Sequence, residues 1–203
     1  MIDVCDYLHD DNKTKEDLLN HVKIVKTTYE DAYDIITILN SCFGVRSKEE
    51  ALQQLLYSKA DLDNSVKVID ERDGKIYGIL ILSEYPIEVG SPIRHFNYDL
   101  ANHLSRYKQL NGHSFILDER LRGTTIHKKM LLFNKEFIDK YDIVWCAVEK
   151  SLKSHNYWKH LGFEEILDID EAKFYIKPKN KTLMLEIFII KLLSEQHEKD
   201  NNF

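Results

Sequence analysis

Apolar and polar positions along this chain recur with two different periods, and the switches between them mark out the elements. Val22-Lys23-Ile24-Val25 alternates loosely and predicts a short first strand that ends at Lys26. Thr28, with Asp31 three residues on, predicts a capping box. It opens a helix whose apolar positions Ala32, Ile35, Ile36, Ile38 and Leu39 recur at helical spacing, with Gly44 as the stop. Ser47-Lys48-Glu49-Glu50 starts a second helix carrying Leu52, Leu55 and Leu56. Val66–Asp70 and Ile76–Leu82, joined by the charged turn Glu71-Arg72-Asp73-Gly74, predict a β-hairpin. From Pro86 to Gly112 the pattern is weakest, and Leu100, Leu104 and Tyr107 predict one helix over Asp99–Leu110.

After Gly112 the rhythm becomes strand, helix, strand, helix, strand. His113–Asp118 is followed by a helix over Thr125–Lys140, then Ile143–Val148, then a helix over Leu152–His160. Phe163–Ile166 pairs with Phe174–Ile176, and a closing helix spans Thr182–Glu198. That helix, apolar at Leu183, Leu185, Ile187, Ile190 and Leu193, is more apolar than one packed face needs. Packing on the sheet is its expected use, and a face between copies is the alternative, so the chain is read as monomer or homodimer. Hairpins first and a βαβ unit second predict an α/β fold: a mixed sheet flanked by helices, closed by a C-terminal helix. Residues 1–20 read as a polar leader with a helical turn near Lys13–Asn20, and residues 21–203 as one domain.

Composition narrows this picture. A hydrophobic fraction of 43% with 11% aromatic residues fits a packed core and argues against disorder. No apolar run approaches the roughly 18 residues of a membrane span. The start, MIDVCDYLHDDNKTKED, lacks the basic-then-apolar order of a signal peptide. Cys5, Cys42 and Cys146 have no metal-like spacing, so free thiols in a reducing compartment are expected, and Cys146, inside an apolar strand, reads as inert. His113, His155 and His160 show no ligand spacing, and no metal is expected. A net charge of −6 argues against nucleic acid as a partner. These features together predict a cytoplasmic domain without a membrane partner.

One segment reverses the acidic balance. From Arg120 to Lys135 the chain carries Arg120, Arg122, Lys128, Lys129 and Lys135, and no Asp or Glu. The run follows the apolar strand Phe115-Ile116-Leu117, passes through Arg122-Gly123-Thr124-Thr125 and enters an amphipathic helix. Amide groups at a helix start, the helix dipole and nearby cations together make an anion site. A phosphate-bearing cofactor is the expected guest, and a solvated surface turn is the plainer alternative.

The order of elements and two of its turns resemble the GCN5-related N-acetyltransferase (GNAT) superfamily over Val22–Lys177. Leu117–Lys129 resembles that family's pyrophosphate loop, Arg/Gln-x-x-Gly-x-Gly/Ala, and Ser151–Phe163, SLKSHNYWKHLGF, resembles its helix ending in Tyr-x-x-x-Gly-Phe. The resemblance implies transfer of an acetyl or other short acyl group from acetyl-CoA to an amine, on a small molecule or on a protein N-terminus or lysine. It implies that backbone groups of Ile116 and Leu117 pair with the pantetheine arm, that Arg122, Gly123, Thr124, Thr125, Ile126 and His127 hold the pyrophosphate, and that Ser154 lies beside the arm.

Departures from the family pattern bear on chemistry. Thr125 and His127 stand where the family has small residues, so a Cβ intrudes on close backbone approach. Trp158 stands where the resemblance implies a Tyr that protonates the leaving thiolate, and an indole N–H donates a hydrogen bond but supplies no proton. Tyr157 is adjacent in sequence but about 100° round the helix. The attacking amine must also lose a proton. Asp118, Glu119 and Glu149, at the ends of two strands, are the carboxylates in question, each with a solvated or ion-paired alternative. A CoA-binding or sensor domain with weak or no turnover remains the second reading, and a phosphosugar- or nucleotide-binding protein the third. The acceptor is expected to be selected by the first two helices and by Pro86–Gly112.

Overall fold

Ile76–Ser83 is apolar at almost every position, and all eight of its residues are buried. Only a strand covered on both faces has that pattern, and it lies in the middle of the sheet. The computed structural model describes residues 11–42, 47–57, 59–150, 154–169 and 171–200. Cys5, Gly44 and the expected helix start at Leu152 lie outside them. The strands are β1 (Val22–Lys26), β2 (Ala60–Asp70), β3 (Ile76–Ser83), β4 (Gln109–Leu117), β5 (Ile143–Glu149), β6 (Glu164–Asp168) and β7 (Ala172–Pro178). They form one sheet in the order β1-β2-β3-β4-β5-β7-β6, antiparallel throughout except between β4 and β5.

Ten helices surround the sheet among the described residues. They are α1 (Lys15–His21), α2 (Ala32–Cys42), α3 (Lys48–Tyr57), α4 (Ile87–Gly90), α5 (Ile93–Phe96), α6 (Tyr98–Leu104), α7 (Ile126–Phe133), α8 (Lys135–Ile138), α9 (His155–His160) and α10 (Lys181–Asp200). On one face, Ile79 and Ile81 of β3 pack with Ile35 and Leu39 of α2. On the same face Ile143 and Trp145 of β5 pack with Leu100 and Leu104 of α6 and with Leu183 and Ile187 of α10. The other face joins Tyr77 and Leu80 of β3 to Leu18 of α1 and to Ile126 and Met130 of α7. Beside it, Cys146 and Val148 of β5 pack with Trp158 of α9 and with Phe163. Each such buried aliphatic side chain contributes about 1.5–3 kcal/mol. On its outer side α10 keeps Leu185, Ile189 and Leu192 exposed.

Local chemistry accounts for most boundaries. The Thr28 N–H donates to the Asp31 carboxylate at 2.8 Å, as the capping-box spacing predicts. Gly162 has φ +82° and ends α9 in a Schellman cap, with the Phe163 N–H donating to the Trp158 carbonyl at 3.1 Å.

Two expectations need correction. The helix expected over Asp99–Leu110 stops at Leu104, and Gln109 and Leu110 begin β4. Gln109 is buried, accepting from the Ile87 N–H at 2.9 Å and donating to Glu88 at 2.8 Å and to the Leu104 carbonyl at 2.9 Å. Those bonds and the pairing with Ile143 outweigh a helical spacing of three apolar residues. The helix expected over Thr125–Lys140 breaks at Asn134. This buried residue reaches back to the Asn64 carbonyl at 2.7 Å, and its own φ and ψ leave the helical region.

Candidate functional site

The site is set by how little of β4 and β5 pairs. Gln109, Leu110 and Asn111 pair with Ile143, Val144 and Trp145, and beyond them the two parallel strands part. Residues 112–117 and 146–149 therefore face a gap that opens toward the carboxyl ends of both strands, where open α/β sheets place ligands. β4 also carries an irregularity at this point. Its register against β3 passes from Ser114 opposite Ile81 to Gly112 opposite Leu82, leaving His113 as the extra residue of a bulge. Bulges of this kind re-aim a side chain.

On the face of α3 and α6 the gap lies under a cavity of about 500 Å³. Its walls come from Tyr57 at the end of α3, Tyr85, Val89 and Gly90 around α4, His113 of β4 and Trp145 of β5. The Trp145 indole N–H donates to the Tyr85 carbonyl at 2.8 Å, which fixes that ring. His113 Nδ1 lies 2.7 Å from the Ser114 hydroxyl. Burial of its ring pushes the His113 pKa down to about 4, so the imidazole is neutral at pH 7. The sequence shows His113 only as a histidine without ligand spacing, and nothing in it marks the aromatic walls. The only signal was a His beside a Gly at the start of an apolar strand, and the walls are scattered over segments with no common motif.

On the opposite face the basic run separates into unlike parts. Arg120 is structural: its guanidinium donates to Asp118 at 2.9 Å and to Asp11 at 2.6 Å, and Asp118 is fully buried. Burial alone would raise the Asp11 pKa, but hydrogen bonds from Tyr77 and Arg120 outweigh it and hold the carboxyl well below its usual range. Arg122 is half-buried, with its Nε 3.5 Å from the Leu117 carbonyl, and Gly123 follows with φ +69°. The Thr124 hydroxyl donates to the Leu121 carbonyl at 2.6 Å and accepts from the Ile126 N–H at 3.3 Å. The first helical bond of α7 runs from the Lys129 N–H to the Thr125 carbonyl at 3.0 Å. The amides of His127 and Lys128 lie in that first turn, where a helix has no acceptor of its own to offer. Thr125, Lys128 and Lys129 are exposed, and Lys135, one helix further on, is paired with Asp139.

The remaining candidates fall around the same gap or outside it. Ile116 and Leu117 bury their side chains in opposite faces of the core, and of their backbone groups those of Leu117 face the gap while those of Ile116 face Ile79 of β3. Trp158 is a core residue, in edge contact with Phe163 at 5.2 Å and Phe115 at 6.2 Å between ring centroids. Tyr157 packs against His127 at 5.1 Å and Phe115 at 6.4 Å, so its ring bridges α9, α7 and β4. Its hydroxyl is buried without a protein partner, and burial pushes its pKa up. Burial, with the Lys128 charge beside it, lowers the His127 pKa. Ser154 is buried at the start of α9, whereas Glu119 and Glu149 are exposed at the ends of β4 and β5. Cys146 is buried in a wholly apolar setting that raises its thiol pKa. Among the described residues no cluster suits a metal ion, and no helix is long and apolar enough to cross a membrane.

No family model matches the sequence, and no curated protein matches it. Solved structures do resemble the fold. PH1933 from Pyrococcus horikoshii OT3 superposes with a TM-score of 0.57 at 18% identity, over 78% of this chain and 99% of that one. Mosquito arylalkylamine N-acetyltransferase like 5b gives 0.54 at 16% identity, over 77% of this chain and 99% of its own. Arabidopsis thaliana Naa50, solved with the bisubstrate analogue CoA-Ac-MVNAL, gives 0.53 at 11% identity, over 77% and 98%. With its parted parallel strands, bulged β4 and basic loop before α7, the chain has the fold of the GNAT acetyltransferases.

Proposed function

We propose that this chain is a CoA-dependent N-acyltransferase of the GNAT superfamily, with acetyl-CoA as co-substrate and a primary amine as acceptor. The observation that carries this reading is the gap between β4 and β5, with a cavity on one face and a basic helix start on the other. The edge of β4 that faces the gap offers the backbone groups of Leu117 to the pantetheine amides, as a sheet edge offers them to an added strand, while those of Ile116 turn toward Ile79 of β3. Arg122 and the amides from Gly123 to His127 hold the pyrophosphate, with Thr125 able to add its hydroxyl. Ser154 lies beside the arm. The thioester then sits in the gap, and the amine reaches it from the cavity.

The chemistry follows from the groups that line the gap. The acceptor must attack as the neutral amine, the minor form of a primary amine at pH 7. As the C–N bond forms, the nitrogen becomes acidic, and its proton leaves through water, since the His113 imidazole, with a pKa of about 4, is too weak a base to hold it at pH 7. Glu119 and Glu149, at the strand ends, are the exits for that proton. Holding both reactants in line accounts for much of the rate, up to about 7–11 kcal/mol. Trp158 has no proton to give, and its place in the core explains why an indole is tolerated there. Tyr157 takes the role nearest to it. Its buried hydroxyl donates a hydrogen bond to the departing thiolate, and with a raised pKa it keeps its proton.

The contact between His127 and Tyr157 favours the second reading, a CoA-binding or sensor domain with little turnover, because it narrows the space beside β4. One pair of measurements separates the readings. Acetyl-CoA is expected to raise the melting temperature, and a panel of amines to release thiol from it. Stabilisation without thiol release across a broad panel supports the sensor. A nucleotide that stabilises where acetyl-CoA does not removes CoA altogether.

A further inference from the structure

Resting on the acyltransferase reading, we infer that the acceptor is a small monoamine with a flat apolar body, an aryl- or arylalkylamine, and not a polyamine, an amino sugar or a peptide. The cavity has the volume of a small-molecule site, at about 500 Å³. Three of its walls are aromatic. Tyr57 and Tyr85 meet edge to face with ring centroids 5.6 Å apart, and Trp145 is held by its bond to the Tyr85 carbonyl. Gly90 closes the floor: a Cβ there would stand 2.7 Å from the Tyr85 ring and 2.9 Å from Trp145, so only glycine lets the backbone lie against both rings. Tyr57, 72% exposed, is the ring that offers most of its surface to the cavity, while Tyr85 and Trp145, 7% and 2% exposed, line it with little surface, and His113 lines it too.

Charge argues the same way. Among the described lining residues there is no Asp or Glu. The carboxylates near the cavity in the chain are already engaged: Glu88 accepts from Gln109 at 2.8 Å, and Glu84 accepts from the Tyr141 hydroxyl. A second ammonium group on the acceptor would gain no counter-charge from these lining residues. A peptide meets a different obstacle. The N–H groups of Val89 and Gly90 both donate to the Pro86 carbonyl, at 3.0 and 2.9 Å, Pro92 has none, and the Ser91 hydroxyl donates to the Ile87 carbonyl at 2.7 Å. The α4 side of the cavity therefore has few main-chain donors to offer a peptide running out over it.

The test compares 2-phenylethylamine, tryptamine, spermidine and a peptide with a free N-terminal Met, with acetyl-CoA present. The readouts are thiol release and, separately, calorimetric binding of each amine to the protein with CoA. The two aromatic amines are expected to exceed spermidine and the peptide by at least about tenfold in kcat/KM. Tyr57→Ala is expected to raise KM for 2-phenylethylamine about tenfold with kcat little changed. Val89→Glu, at an exposed wall position, is expected to improve spermidine and weaken phenylethylamine. Binding of the aromatic amines that Tyr57→Ala weakens, without thiol release, sustains this inference and sinks the catalytic reading. Efficient acetylation of spermidine or the peptide, with the aromatic amines inert, sinks this inference and leaves the catalytic reading standing. No binding of either aromatic amine likewise overturns it.

Discussion

Arg120 and Arg122 are two residues apart in one basic run, yet Arg120 is bound to carboxylates while the proposed duty of Arg122 is to hold phosphate, and a paired substitution separates them. Arg120 holds two carboxylates, and Asp118 is 0% exposed. In Arg120→Ala that carboxylate stays buried without its counter-charge, a loss of about 3–5 kcal/mol. A domain has about 5–15 kcal/mol in all, so the variant gives up a large share of its stability. Urea unfolding followed by circular dichroism should show a midpoint lower by at least about 1 M, given slopes of about 1–3 kcal/mol/M. Arg122, half-buried beside the unpaired end of β4, should lose under about 1 kcal/mol of stability on conversion to Ala. Its guanidinium is instead worth about 1.5–3 kcal/mol to a bound phosphate, so the CoA dissociation constant should rise about tenfold to a hundredfold by calorimetry. That rise should shrink as salt is added. The reasoning is refuted if Arg120→Ala unfolds within about 1 kcal/mol of the parent. It is equally refuted if Arg122→Ala binds CoA as the parent does.

Three further outcomes follow from single groups. Tyr157→Phe removes a buried hydroxyl that has no protein partner, so the apo protein should be as stable as the parent or more so; kcat should fall about tenfold to a hundredfold with KM for acetyl-CoA nearly unchanged, and an unchanged kcat would take Tyr157 out of the reaction. His113 has a pKa of about 4 in the folded chain against about 6.5 when unfolded, so between those values the unfolded state binds the extra proton. Its contribution, at most about 3 kcal/mol, is whole above pH 6.5 and drains as the pH falls toward 4; His113→Gln should flatten that part of a stability–pH curve, and an unaltered slope would contradict the burial argument. Gly162→Ala has room for its Cβ, with Lys177 3.8 Å away, so only the left-handed backbone opposes it. The loss should be about 1–2 kcal/mol by thermal melting, and a neutral result would mean the cap relaxes.

How much the sequence disclosed differs from element to element. The β2–β3 hairpin and the Thr28 capping box were legible because each depends on neighbours a few residues apart. So was the turn before α7, since its residues are contiguous. The extent of β4 was not legible. Leu100, Leu104 and Tyr107 recur at helical spacing, and only bonds to Ile87, Glu88 and β5 pull the next residues, Gln109 and Leu110, into a strand. The break at Asn134 depends likewise on a carbonyl seventy positions away in the chain.

By itself, then, the sequence determined the order of the strands, most of the helices and the mixed sheet, because periodicity and turn chemistry are local. Only the tertiary structure decided that Arg120 is buried against carboxylates, since Asp11 and Asp118 reach it through space. It alone brought His113 into a bulge beneath Tyr57, Tyr85 and Trp145. Parallel strands that pair for three residues and then part create that cavity, and no spacing along the chain encodes where they part.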